Sequence, residues 1–379
     1  MAEIEQRYSF SVLRERLRQH AGPVLNFALG QLSKDLPVTV SRLVEESPSL
    51  VLRSANRDEV GEFTDSAAAY LQRVYDVEVL PTQILPMPGG RAAMTMLAAS
   101  VLEPGDGVLV TEPGYPAFAR VVSQHHASVH AAVLDPNRSF LPALEGLAAG
   151  DLASIRLVAL NCPNNPTGVV LSADTVTAVT AGLAADTILF NDATYGPLVY
   201  GQQPISLLDS AVTRGRELAV LELHSLAKLF ALGPLSMSFL VGTGSLVERL
   251  RQYCDFAWSP LSALRLQVAT LCLQETRYLE EVRGDLETRL DRLRATLIEV
   301  GFEPYPTPAG IYVLTSTPET IGERSPNTAQ EVADILLDDF GIAVASWDRP
   351  PNRYLRFAAL CRPEDLAALA SLKNELRLS

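Results

Sequence analysis

Basic charge, cysteine and long apolar runs are all in short supply in this 379-residue chain. Lysine and arginine together number 31 against 44 acids, a formal charge of −13. A phosphate backbone requires clustered cations, so no nucleic-acid partner is expected and a small-molecule ligand suits this surface better. The four cysteines, Cys162, Cys254, Cys272 and Cys361, are scattered without a CxxC pair. That spacing argues against a disulfide framework or a zinc site and reads as buried, reduced thiols. The apolar stretch at 229–241 is broken by Gly233, Pro234, Ser236 and Ser238, so no membrane span is expected. The opening MAEIEQRYSF carries acids and no basic region leading into an apolar core, so no secretory signal is expected and the cytoplasm is the default location. No internal repeat or low-complexity linker is evident.

What is present is ordinary globular material. A composition of 47% hydrophobic and 20% charged residues is enough for a substantial core, and the length suits a two-domain enzyme with one large α/β domain. Short β-type runs near Val108, Val158, Leu189 and Val220 alternate with helical patterns, which implies a largely parallel sheet with crossover helices. Ligands bind beyond the carboxyl ends of such strands, so the polar residues there, Asn161, Asp192 and Ser225, take priority. After a last sheet strand near 239–242, Ser259 and Pro260 suit the N-cap and first position of a long helix running to about Val300, with Gly301 placed to stop it. GIYVLTS and YLRFAAL then read as strands of a smaller α+β domain. The expected division is an N-terminal segment at 1–35 packing near the site, a large domain at 36–257, and an interdomain helix with the small domain at 258–379.

Four separated elements carry chemistry. In MPGGRAAM, Gly89 and Gly90 precede a helical run beginning near Arg91, and backbone N–H groups at a helix start cradle phosphate. The same pair also makes a plain tight turn. EPGYPAF places Tyr115 in a loop after a β run, suited to stacking on a flat heteroaromatic ring or to an ordinary surface turn. NCPNNPTG followed by NDATYGPLVY supplies Asn165, Asp192 and Tyr195. A pyridinium nitrogen keeps its proton beside a carboxylate, work suited to Asp192, while Asn165 and Tyr195 can donate to a phenolate oxygen. Taken singly, Asn-Pro is a turn and a strand-end Asp often a helix cap. LELHSLAKLF puts Ser225 and Lys228 three apart at the beginning of a turn-helix element. A desolvated lysine becomes neutral and attacks an aldehyde carbon, the alternative being a solvated surface lysine.

Combined in this order, glycine turn, stacking aromatic, NPTG, DxxY and SxxK resemble the pyridoxal 5'-phosphate (PLP)-dependent fold type I enzymes. These are the aspartate aminotransferase superfamily of class I and II aminotransferases, and the resemblance covers nearly the whole chain. It implies a large domain with a mostly parallel sheet flanked by helices, a smaller α+β C-terminal domain, PLP as cofactor and a homodimer. It also implies that Gly89, Gly90, Arg91 and Ser225 seat the phosphate, that Tyr115 stacks on the ring, and that Lys228 holds the cofactor as a Schiff base. YLRFAAL is similar to the family's YxRxS-type segment, making Arg356 the expected clamp on the substrate α-carboxylate, a bidentate geometry lysine does not reproduce. LNFALGQLSKDLP resembles the N-terminal substrate loop, which sets Gly30 beside the substrate with Asn165.

Two departures stand out. Eight positions beyond the Schiff-base lysine, most family members carry an arginine that grips the phosphate, and here that position is Ser236. A lost charged hydrogen bond is worth about 1.5–3 kcal/mol. The usual tyrosine before a GLPxLR motif is also missing from SANRDEVGEFTDSAAAYL, where Ser54, Asn56 and Arg57 are the candidate substitutes. Such departures resemble divergent members in specialised amino-acid metabolism, including PLP-dependent arginine oxidases and hydroxylases.

The expected reaction is transamination of an L-amino acid to a 2-oxo acid through a Lys228 aldimine and a quinonoid, Lys228 removing the α-proton. The alternative is a lyase, cyclase or oxidase working from the same quinonoid. A non-catalytic aminotransferase-like module of a regulator is disfavoured, since no helix-turn-helix is read before residue 30. A dinucleotide-dependent dehydrogenase lacks its GxGxxG. His126 and His130 are four apart beside His125, but no acidic or sulfur ligand accompanies them, so no metal is expected. His224 is read either as an influence on proton transfer near Lys228 or as a packing residue.

Overall fold

The computed structural model describes residues 10–379 except 30, 31, 33, 34, 145, 146, 171, 181, 214–217 and 234. The chain forms two compact units, a larger one of Leu32–Asn164 and Val169–Arg283 and a smaller one of Met1–Gln31, Asn165–Gly168 and Gly284–Ser379.

The first strand, β1 (Leu25–Asn26), belongs to the smaller unit. Eight strands of the larger unit follow: β2 (Ile84–Met87), β3 (Gly107–Glu112), β4 (Ser128–Leu134), β5 (Pro142–Ala143), β6 (Ile155–Asn161), β7 (Ile188–Asp192), β8 (Ala219–Ser225) and β9 (Ser238–Gly242). They make one sheet in the order β2-β9-β8-β7-β6-β3-β4-β5. The five central strands, β8 through β4, run parallel, while β2, β9 and β5 pair antiparallel at the two ends.

The continuous apolar runs of β6 and β7 follow from burial on both faces. Leu157, Ala159, Ile188 and Phe190 pack into one core with the Gly90–Val101, Ala117–Gln124 and Gly244–Ala257 helices. Val158, Leu160 and Leu189, one residue out of phase, pack into a second core with the Ala173–Thr180 helix. This is the α/β architecture expected from the sequence.

The smaller unit resumes with β10 (Tyr312–Ser316), β11 (Ile342–Ala343), β12 (Ala345–Arg349) and β13 (Asn352–Ala358). Here β13 is the middle strand of an antiparallel β10-β13-β12 sheet, and β1 pairs in parallel with β11. The Phe10–Gln19 helix packs on this unit through Leu13 and Leu17 against Leu337 and Ala343, and Arg16 forms ion pairs with Asp334 and Asp338.

The long helix begins later than Ser259 and Pro260 suggest. Ser262 is the N-cap, accepting from Arg265 N at 3.3 Å, and the helix covers Ala263–Gln274. Residues before it are held extended by backbone bonds from Ala55 N to Leu261 O and from Ala263 N to Arg53 O, which rules out helical bonding there. A second helix, Thr276–Val300, follows a break at Glu275 and stops at Gly301, whose φ is +110°. The division between the units falls inside this second helix. Among the described residues, no helix is long and apolar enough to cross a membrane. Cys162, Cys272 and Cys361 are buried free thiols, and Cys254 is half-buried.

Candidate active site

In the larger unit β3 has β4 on one side and β6 on the other, so the strand order reverses between β3 and β6. Loops on either side of such a point diverge and leave a crevice beyond the carboxyl ends of the strands. A cleft lies there, lined by Thr111, Tyr115, Phe118, Asn161, Phe190 and Asp192 among others. Asn161, Asp192 and Ser225, singled out as strand-end polar residues, are the last residues of β6, β7 and β8.

Asp192 is buried. Its Oδ1 accepts from Thr194 Oγ1 at 2.5 Å and Thr194 N at 3.2 Å, and Asn161 Nδ2 donates to its backbone oxygen at 3.3 Å. Burial pushes the Asp192 carboxyl above the usual carboxylate range, while the two Thr194 bonds and His224 pull against it. Thr194 went unnoticed in the sequence, where its position between Asp192 and Tyr195 was the only signal. Tyr195 is buried just before the short Gly196–Leu198 turn of helix.

Ser225 Oγ accepts from Ala227 N at 3.3 Å, and Ser225 pairs across the sheet with Ser238 of β9. Lys228 is half-buried in a run of turns rather than at the start of a helix. Leu226 N is bonded to Met237 O, which ties the segment to the chain entering β9, and one helical turn closes from Phe230 N to Leu226 O before the pattern ends.

Gly89 has φ +111°, a conformation that side chains with a Cβ resist, and the Gly90–Val101 helix starts directly after it with Arg91 exposed in its first turn. A Cβ on Gly89 would lie 2.9 Å from Ser236 O. Ser236 therefore sits against the glycine turn, at φ +48°, with its hydroxyl donating to Gly233 O at 3.0 Å. Of the three candidates for the missing upstream tyrosine, Asn56 is the N-cap of the Arg57–Tyr75 helix, in a reciprocal pair with Glu59, Ser54 forms a bridge with Ser262, and Arg57 is exposed.

The smaller unit brings Asn165 and Arg356 together. Arg356 lies on β13 and is 1% exposed. Its Nη1 donates to Asn165 Oδ1 at 3.0 Å and its Nη2 to Ala28 O at 2.7 Å. The guanidinium carbon is 3.9 Å from the centre of the Tyr312 ring and 5.2 Å from that of Trp347, so the fork is held by bonds at its edge and rings at its face. Gly30 lies outside the described residues. Just before it, Asn26 Oδ1 accepts from Ala28 N and Leu29 N, fixing the turn that presents Ala28 O to Arg356. The three neighbouring histidines do not share a helix face, because His125 ends a helix, His126 is in a left-handed turn and His130 is on β4.

The chain is 28% identical over 326 residues to the LL-diaminopimelate aminotransferase of Methanocaldococcus jannaschii, spanning 85% of this chain and 77% of that protein. It is 26% identical over 391 residues to the L-glutamine--4-(methylsulfanyl)-2-oxobutanoate aminotransferase of Bacillus subtilis, spanning 100% of this chain and 96% of that one. Among solved structures, substrate-bound BacF from Bacillus subtilis shares the fold, with a TM-score of 0.86 at 23% identity over 97% of this chain and 95% of that chain. The aminotransferase class I and II family matches residues 22–371, a span that takes in both the cleft of the larger unit and the Asn165–Arg356 network of the smaller. On that match, the chain belongs to the class I and II aminotransferases.

Proposed function

We propose that this protein is a PLP-dependent enzyme that converts an L-amino acid to its 2-oxo acid and then aminates a second 2-oxo acid, working as a homodimer. The observation that carries this reading is Asp192, a carboxyl buried at the end of a parallel strand in a cleft at the sheet's switch point, with Tyr115 lining the same cleft. A carboxyl that burial pushes toward neutrality is suited to a cationic ring nitrogen, because the pairing restores its charge. The Gly89 turn fits the phosphate end, since any Cβ there would collide with Ser236 O and a bare backbone gives close approach to a helix N-terminus. The residues present thus fit the cofactor that this family employs.

PLP, when bound, supplies an electron sink for the substrate's α-carbon. Asp192 holds the proton at the ring nitrogen, and Thr194 fixes the carboxylate's orientation through its hydroxyl and N–H. Tyr115 offers a flat face, Asn165 and Tyr195 donate to the ring oxygen, and Gly89, Gly90, Arg91 and Ser225 seat the phosphate. The Lys228 amine first holds the cofactor and then carries the α-proton at Nζ. Arg356 and Asn165 hold the substrate carboxylate, with Gly30 beside it, and the Ala28 and Tyr312 contacts keep the guanidinium in one plane.

The test is to incubate the purified protein with PLP, reduce with borohydride, digest, and locate the adduct by mass spectrometry, with Lys228→Ala as control. An adduct on the Lys228 peptide is expected, and a folded wild type without one sinks the reading. A panel of amino acids with mass-spectrometric product analysis then separates transamination from elimination or oxidation. Release of a keto acid without amine transfer to an acceptor would exclude transamination.

A further inference from the structure

Behind the turn that carries Tyr195 stands a buried tyrosine that none of these roles uses. Tyr75 is the last residue of the Arg57–Tyr75 helix and is 5% exposed. Its hydroxyl lies against Gly196, the residue after Tyr195: a Cβ on that glycine would fall on Tyr75 Oη, with Cζ at 3.0 Å and Cε1 at 3.3 Å. Backbone conformation is not what calls for glycine there. Gly196 is not among the glycines at positive φ, and it opens the short Gly196–Leu198 turn of helix, where alanine costs less than glycine. What the position needs is room for the hydroxyl.

The tyrosine is the fixed side of this contact. Its ring belongs to a closed set of four: Tyr75 is set edge-on to His224 at 5.3 Å and to Tyr70 at 6.4 Å, His224 stacks on Phe239 at 5.0 Å, and Phe239 meets Tyr70 edge-on at 6.4 Å. All four are buried, and His224 Nε2 lies 3.2 Å from Glu222 Oε2. A ring hemmed in this way cannot swing aside without opening a void among its neighbours. The turn is held less firmly. Ala193 N donates to Leu223 O at 2.9 Å, Gly196 N to Ala193 O at 2.8 Å and Leu198 N to Tyr195 O at 2.9 Å, so its start is tied to β8 while the later bonds close within the turn.

We propose that Tyr75 is a positioning residue for Tyr195: its hydroxyl, filling the space a Cβ would take at Gly196, backs the turn and so sets the Tyr195 hydroxyl at the cofactor's ring oxygen. The inference rests on the role given to Tyr195 above. Burial pushes the Tyr75 hydroxyl well up in pKa, so it keeps its proton through the pH range of the test.

The experiment is a pH titration of the absorbance of Lys228-bound PLP in full-chain holoenzyme, with melting temperatures measured alongside. A donor on the ring oxygen offsets its negative charge, and without that donor the neighbouring Schiff-base nitrogen keeps its proton to higher pH. Tyr195→Phe removes the donor, and its midpoint is expected about one to two pH units above wild type. Gly196→Ala sets a methyl group against the Tyr75 hydroxyl, the turn yields, and the midpoint is expected to rise by most of the same amount. Combining Gly196→Ala with Tyr75→Phe puts the methyl in the place of the oxygen removed and should return the midpoint to the wild-type value. Adding Gly196→Ala to Tyr195→Phe should move it no further. A shift in Tyr195→Phe with none in Gly196→Ala, even if that variant melts earlier, overturns the proposal and leaves Tyr195 at the ring. So does a Gly196→Ala shift that Tyr75→Phe fails to reverse, or one that persists in full on top of Tyr195→Phe. An unmoved Tyr195→Phe removes Tyr195 from the ring oxygen and takes the inference with it, and a wild type with no PLP absorbance brings down the functional reading as well. Should Gly196→Ala fail to fold, Tyr75→Phe decides alone: the turn loses its backing and a rise of about half a pH unit is expected, whereas an unmoved midpoint refutes the proposal.

Discussion

Replacing Arg356 by lysine keeps the charge and removes the fork, which makes it the sharpest probe of the carboxylate clamp. In the native protein the two terminal nitrogens reach different acceptors, Asn165 Oδ1 at 3.0 Å and Ala28 O at 2.7 Å, while the plane lies over Tyr312. One ammonium on a flexible stem cannot reproduce both bonds and a paired approach to a carboxylate. The net loss on the substrate side is about one charged hydrogen bond, about 1.5–3 kcal/mol. At 1.4 kcal/mol per factor of ten, affinity for the amino acid should fall roughly 10- to 100-fold. The same substitution leaves a buried acceptor short of a donor, so stability should fall by about 1–3 kcal/mol as well.

Those two effects must be kept apart, and the comparison substrate does so. Affinity is read from the amino-acid-dependent change in PLP absorbance, once with an accepted L-amino acid and once with the amine that lacks its carboxylate. A clamp predicts that Arg356→Lys weakens the amino acid and leaves the amine unchanged. Equal weakening of both would mean that the variant merely loosened the smaller unit. No weakening of either would remove Arg356 from the substrate's contacts.

Gly89→Ala should lower the melting temperature and weaken PLP binding, because a non-glycine residue at φ +111° costs about 1–3 kcal/mol and the added Cβ meets Ser236 O at 2.9 Å. A variant that melts and binds like wild type would refute the close approach. Glu59→Gln tests a pH-dependent contribution: the Arg53 guanidinium, with Asn56 N and Gln267 helping, holds the Glu59 carboxyl down to about 2 from an ordinary 4.5. A depressed carboxyl stabilises above its unfolded value and stops doing so as pH falls through its folded one. Denaturant melts should therefore show the variant weaker than wild type at pH 7, with the gap closing between about 4.5 and 2. Ser262→Ala should cost about 1 kcal/mol by removing the cap bond to Arg265 N, whereas Ser259→Ala, outside the helix, should cost little.

How far the sequence could be read depended on whether a residue's role was local. β6 and β7 were legible because strands covered on both faces carry apolar runs, here 157–160 and 188–190, with polar residues following at the strand ends. Asn161 and Asp192 fall on those ends, and Ser225 closes β8, whose interior already carries Glu222 and His224. The helix start at Ala263 was not legible, because Ser259-Pro260 is a good local cap and loses only to the backbone bonds that Arg53 and Ala55 make from some 200 residues upstream in the chain. Lys228 was placed in sequence but not in conformation, since the bond from Leu226 N to Met237 O that ties its turn to the chain entering β9 is likewise invisible locally. The Glu222-Leu223-His224 run shows the limit most clearly. Alternating polar and apolar residues on a strand signify one wet face, yet here the polar face is covered by Tyr75, Phe239 and the Ser206 loop. A charged pattern that reads as surface and is found buried marks a place where the fold retains a polar group against its own packing preference.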